Sequence, residues 1–145
     1  MKKCLFLSTA NRVKYHTSDK ANQKIKEETL DNINYYRGRS NVELSNRIKE
    51  LNNEWDIERV LETNASILIV LGSILAITTN KKYWPFFTGA IGGFLLQHAT
   101  KGWCPPLPII RSLGIRTSSE IDEEKFYLKY LRGDYEKWSD HTGNI

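Results

Sequence analysis

Glu62 and Lys81 bracket eighteen residues without a formal charge, and Lys82 and Lys101 bracket eighteen more. These two runs, separated only by Lys81-Lys82, constrain the fold more than any other feature. At ~1.5 Å rise per residue each makes a helix of ~27 Å, close to the ~30 Å hydrocarbon core of a bilayer. In the first run, Ile67 to Leu71 are five consecutive apolar residues and point in every direction around a helix. A helix that is apolar all round is buried in a large core or in lipid. A chain of 145 residues with polar flanks has little material to wrap two such helices. The second run, Tyr83 to Thr100, carries Phe86, Phe87, Ile91, Phe94, Leu95 and Leu96. Tyr83 and Trp84 at one end and Trp103 at the other are spaced like interfacial aromatic anchors. The expectation is an all-α chain built on a two-span transmembrane hairpin, with spans at 63–80 and 83–100. The competing reading is a soluble helical hairpin with an unusually apolar core, and Gln97-His98 inside the second run favours it.

The turn at Asn80-Lys81-Lys82 is too short to do more than reverse the chain, so both outer ends face one side. Arg47, Lys49 and Arg59 precede the first span, and Lys101, Arg111 and Arg116 follow the second, against two lysines in the turn. The positive-inside rule then puts both termini in the cytoplasm. Gly72 and Ala76 are four apart in the first span, as are Gly89 and Gly93 in the second. Small-xxx-small spacing lets helix backbones approach closely in lipid, within one hairpin or between two copies.

Three segments follow: 1–62 as an N-terminal cytoplasmic helical segment, 63–101 as the hairpin, and 102–145 as a linker and C-terminal amphipathic helix. Before the hairpin, Thr17-Ser18 opens a helix ending near Arg37-Gly38, with Ile25, Ile33 and Tyr36 on one face. Ser40-x-x-Glu43 is a capping box. The helix it opens carries Leu44, Ile48, Leu51 and Trp55, a stripe expected to pack on the preceding helix as a small cytoplasmic hairpin. No Pro or Gly interrupts Trp55 to Leu71, so this helix is expected to run on into the membrane. After the hairpin, Gly102 and three prolines end the helix. Pro108 to Gly114 allows one or two turns. Thr117-x-x-Glu120 is a second capping box, and its helix, with Phe126, Tyr127, Leu128, Tyr130 and Leu131, fits the membrane surface or the other cytoplasmic helices equally well. Gly133 closes it, which accounts for Arg132-Gly133-Asp134 better than adhesion does. Met1 to Leu7 imitates a signal peptide, but its apolar stretch is short and no A-x-A site follows, so it reads as an uncleaved tail.

The net charge is +4, yet residues 1–62 carry +2 and residues after Thr100 carry 0. No basic patch with interleaved aromatics exists, so nucleic acid is not an expected partner. Cys4 and Cys104 form no C-x-x-C and no metal spacing with His16, His98 or His141, and no metal or cofactor is expected. A phosphate loop, a hydrolase elbow and a dinucleotide fingerprint are missing as well.

Arg12-Val13 with His16-Thr17, Glu54 to Arg59, Gly93 to His98, Gly102 to Pro108, Leu113-Gly114-x-Arg116-Thr117, Glu120-Ile121-Asp122 and Leu131 to Asp134 together resemble a family of small bacterial inner-membrane proteins. This is the YgaP-type transmembrane region, which in YgaP follows a rhodanese domain. The likeness covers most of residues 12–135, and Gly102-Trp103-Cys104-Pro105-Pro106 is its most specific part. It implies an uncharacterised two-span, self-associating module of the inner membrane. These residues contain no rhodanese domain, so sulfur transfer is not carried over.

Three functions remain open from the residues. The first is a non-enzymatic membrane anchor or interaction module, whose partners are the bilayer, a cytoplasmic protein of unknown identity or a second copy. The second uses Cys104, between Trp103 and Pro105-Pro106, as acceptor of sulfane sulfur. Such reactivity needs a thiol pKa lowered by a nearby cation or helix N-terminus. The third is a small oligomeric channel using Gln97 and His98, since ionisable groups in spans often mark function.

Overall fold

The computed structural model describes residues 9–79 and 81–135. The imitation of a signal peptide at Met1 to Leu7, with Cys4, lies outside them. Seven helices follow in order: α1 (Thr9–Tyr15), α2 (Asp19–Tyr36), α3 (Asn41–Asn53), α4 (Ile57–Thr79), α5 (Tyr83–Lys101), α6 (Leu107–Ser112) and α7 (Ser118–Leu131). The described residues are otherwise turns and loops, so the all-α expectation holds.

Helix starts are set by side chains. Ser18, Ser40 and Thr117 accept from the amides of Ala21, Glu43 and Glu120, and both expected capping boxes form. Each satisfies amide donors that the first helical turn leaves open. Gly38, Gly102, Gly114 and Gly133, all at positive φ, follow α2, α5, α6 and α7. α1, a short helix ahead of α2, was not foreseen.

The continuous helix expected from α3 into α4 does not form. Glu54-Trp55-Asp56 breaks it, and Asp56 Oδ1 accepts from Arg59 N at 2.8 Å, starting α4 afresh. Ile57 N donates to Arg116 O at 2.9 Å, which holds the break against the loop before α7. An Asp cap can restart a helix without Pro or Gly, which is why the sequence concealed it.

The expected pairing of α2 with α3 is also corrected. Both helices pack chiefly on α7, which stands between them. Leu44, Ile48 and Leu51 of α3 bury against Ile121 and Leu128 of α7, with Tyr36 alongside. Trp55 stays outside this core, half exposed under the Arg59 guanidinium at 4.5 Å. Of the two positions open to the C-terminal helix, packing on the other helices is the one adopted.

α4 and α5 form an antiparallel pair, the most extensive helix contact in the fold. Gly72 sits within this contact: a Cβ there would lie 2.7 Å from Thr88 Oγ1 and 3.3 Å from Phe87. Gly89 and Gly93 do not share this interface, since a Cβ at either meets nothing within 4 Å. The pair wears its apolar side chains outside: Ile67, Val70, Leu71, Ile74 and Ile77 of α4, and Phe86, Phe94 and Leu96 of α5, are exposed. Among the described residues only the helical run containing α4 is long and apolar enough to cross a membrane. α5 falls short because Tyr83, Trp84 and Pro85 open it, three glycines dilute it and Gln97-His98 interrupt it.

Candidate functional site

Two polar constellations stand out. The first lies inside the head formed by α1–α3, α6 and α7. Arg111, 1 % exposed, is bound through every nitrogen of its guanidinium. It donates to both Glu120 oxygens at 2.7 and 2.9 Å, to Asn22 Oδ1 at 2.9 Å, to Thr17 Oγ1 at 3.1 Å and to Ile115 O at 3.1 Å. The planar fork of Arg suits such bidentate pairing. Burial works to raise the Glu120 pKa, but the Arg111 hydrogen bonds and the Thr117 amide outweigh it and hold the carboxyl below its ordinary value.

Next to it, Arg116 donates to Glu54 Oε1 at 2.8 Å and also contacts Glu124, which is fully buried. Arg47 Nε reaches the other Glu124 oxygen at 3.0 Å. Desolvation opposes charge on Arg116, yet its bonds to Glu54 and Glu124 raise its pKa. From the sequence alone Glu120 reads as a cap and Arg111 and Arg116 as topogenic charge, with Arg116 and Glu120 also among the residues of the resemblance. Glu120 and Glu124 lie nine and eight residues beyond Arg111 and Arg116, across the break before α7, while Thr17, Asn22 and Glu54 lie 62 to 94 residues away, and no helical spacing signals such pairs. The network is structural: its donors and acceptors are spent on one another.

The second constellation lies where the hairpin meets the head. A cavity of about 510 Å³ there is lined by Arg12, Glu58, Glu62, Ser66, His98 and Gly102, among others. α1 is held over it by Arg12 Nη1, which donates to Ala99 O at the end of α5. Gly102 makes this approach feasible. Its φ is 73°, and a Cβ on it would lie 2.4 Å from Arg12 Cβ. His98 is 93 % buried, and its Nδ1 has no hydrogen-bond partner among the described residues. Arg12 Nε and Glu58 Oε2 are likewise buried without partners. Burial raises the Glu58 pKa above the usual carboxylate value. Few buried polar atoms in folded proteins go unpaired, and three beside one cavity invite a functional account.

The sequence-picked residues divide around this point. His98 lines both the polar cavity and a neighbouring apolar cleft of about 480 Å³, to which Cys104, Pro105 and Pro106 also belong. Gln97 is half-buried and lines neither; Trp103 is at the surface. Cys104 is 3 % exposed and packs with Val13, Ile57, Leu61 and Leu107. Burial pushes its thiol pKa up, outweighing the Leu107 amide that favours the thiolate. Arg12, Glu58 and Glu62 were missed because nothing in their spacing pointed to His98. No group of His, Cys, Asp or Glu among the described residues is arranged to hold a metal ion.

No family model, curated protein or solved structure matches the chain.

Proposed function

We propose that this chain is a non-enzymatic membrane module: α4 and α5 cross the bilayer as a hairpin, and the ion-locked head sits on the cytoplasmic face. The observation that carries this reading is the interlocking of both flanks at one end of the hairpin. α2 and α3 precede α4, α6 and α7 follow α5, and the two sets share one buried network. If α4 alone crossed the bilayer, the partners Arg111 and Asn22 would lie on opposite sides. A chain that enters the bilayer through α4 must therefore return, and α5 is the segment available for the return. Its polar residues cluster at the two ends, where Tyr83 and Trp84 meet one interface and His98 turns inward to the head cavity. A bacterial inner-membrane location and self-association follow from the YgaP-type resemblance. Gly89 and Gly93, turned away from α4, leave a small-residue face for a second copy.

Alkaline-carbonate and high-salt washes of membranes from expressing cells test the reading. They are paired with topology reporters inserted at the Lys81-Lys82 turn and after Ile145. Retention through both washes, with the turn outside and the C-terminus inside, is expected. Release by carbonate, or reporters on opposite sides from those expected, refutes it. The sulfur-acceptor alternative gains no support from a buried Cys104 with a raised pKa.

A further inference from the structure

We propose that the cavity at the base of the hairpin binds a phosphoethanolamine zwitterion, its primary ammonium held by Glu58, Glu62 and His98 and its phosphate by Arg12. The cavity's formal charge is −1, from two carboxylates and one guanidinium with His98 neutral. An anion alone is repelled by the carboxylates, and a bare metal ion finds no suitable donor set. A primary ammonium carries three N–H donors. Glu58 and His98 line the cavity, their Oε2 and Nδ1 atoms buried without partners among the described residues, and Glu62 supplies a further, exposed carboxylate one turn along α4. Arg12 Nε is the complementary orphan, a donor suited to a phosphate oxygen. The volume of about 510 Å³ falls within the ~300–1,000 Å³ of small-molecule sites. Glu62 and Ala99, both exposed, leave the mouth open. None of the lining residues is Phe, Tyr or Trp, so the aromatic cage that quaternary ammonium groups favour is missing from this wall.

The same chemistry occurs free in water and on a phospholipid headgroup. Only the lipid source rests on the membrane reading above. The full chain in detergent is titrated calorimetrically with O-phosphoethanolamine and with O-phosphocholine. Native mass spectrometry then compares short-chain phosphatidylethanolamine, phosphatidylcholine and phosphatidylglycerol. A primary-amine ligand is expected to bind at least about tenfold tighter than its trimethylated counterpart, the worth of one charge-assisted hydrogen bond. Glu62→Gln and Glu58→Gln should each weaken it by about tenfold or more. Glu62 is exposed, so its variant keeps the test independent of folding, which circular dichroism verifies.

Binding of the lipid but not the soluble probe supports the proposal with a headgroup as source. Binding of the soluble probe supports it with a free zwitterion admitted, even for a chain that carbonate releases from membranes. Equal binding of primary and quaternary amines, preference for phosphatidylglycerol, unchanged affinity in both glutamine variants, or no binding of either primary amine overturns it.

Discussion

Arg111→Ala is the sharpest probe of how the head is held. The substitution removes a fully buried guanidinium and leaves the Glu120 carboxylate with the Thr117 amide and, at 3.9 Å, the half-exposed Lys14 ammonium as its remaining partners. Breaking one partner out of a buried ion pair costs about 3–5 kcal/mol. Thr17, Asn22 and Ile115 each lose a donor as well. Thr17 keeps its own bond to Val13 O, so these losses together add about 1 kcal/mol. A total of about 4–6 kcal/mol is a large part of the ~5–15 kcal/mol that stabilises a typical domain. At ~2–4 °C per kcal/mol for a chain near this size, the head should melt roughly 10–20 °C lower. The double variant Arg111→Met/Glu120→Leu removes both charges. It should recover to within about 2 kcal/mol of the parent, the residue being the lost cap at Thr117. Near-UV circular dichroism in detergent follows head unfolding apart from the hairpin, and hydrogen exchange of α2 and α7 amides locates it. A loss under about 1 kcal/mol in Arg111→Ala, or a double variant as unstable as the single one, would refute the account of a mutually dependent buried pair.

Four further outcomes follow from the geometry. Gly102→Ala should cost at least the ~1–2 kcal/mol of a left-handed residue, and it should also expose Arg12 to trypsin as α1 lifts away. Gly114→Ala, with nothing nearer than Glu28 at 3.9 Å, should cost the conformational term alone. Gly72→Ala should loosen α4 from α5, and Thr88→Ala in the same chain should restore thermal stability, because the clash is with Thr88 Oγ1. Glu120 has a folded-state pKa below its unfolded one, so its contribution is present above the ordinary carboxylate pKa. It is lost as pH falls through the lower folded value; acid titration of melting should show this, and Glu120→Gln should flatten that limb. Maleimide labelling of Cys104 at neutral pH should run ~10-fold or more slower in the native chain than in denaturant, and equal rates would show that the thiol is not in the core.

What the sequence revealed, it revealed through local rules. Ser40/Glu43 and Thr117/Glu120 are three residues apart, and a capping box needs no more than that. The uncharged run around Ile67 to Leu71 likewise declares itself without knowledge of the fold. The partner of α3 was misjudged because its Leu44-Ile48-Leu51 stripe specifies an apolar surface without specifying whose. α7, nearly seventy residues later, supplies that surface better than α2 does. The second span was judged from the absence of charge, but hydropathy depends also on Gln97, His98 and glycine. The cavity residues were hidden for a related reason: Arg12 reaches Ala99, next to His98, only because Gly102 lets α1 cross the end of α5, a contact over 87 residues of chain.

The buried network also sets an order of assembly. Asn22, Thr29 and Glu54 leave the ribosome well before Arg111 and Arg116, with the whole hairpin synthesised between them. Until those arginines arrive, the N-terminal helices lack the cations that neutralise Glu54 and the apolar face of α7 that covers Leu44 and Ile48. A chain halted after α5 therefore presents open helices to proteases, whereas a chain that has completed α7 can close. Completion of the head thus reports that α6 and α7 have been made and have docked on the N-terminal helices, and it couples the survival of the newly made chain to synthesis past the hairpin.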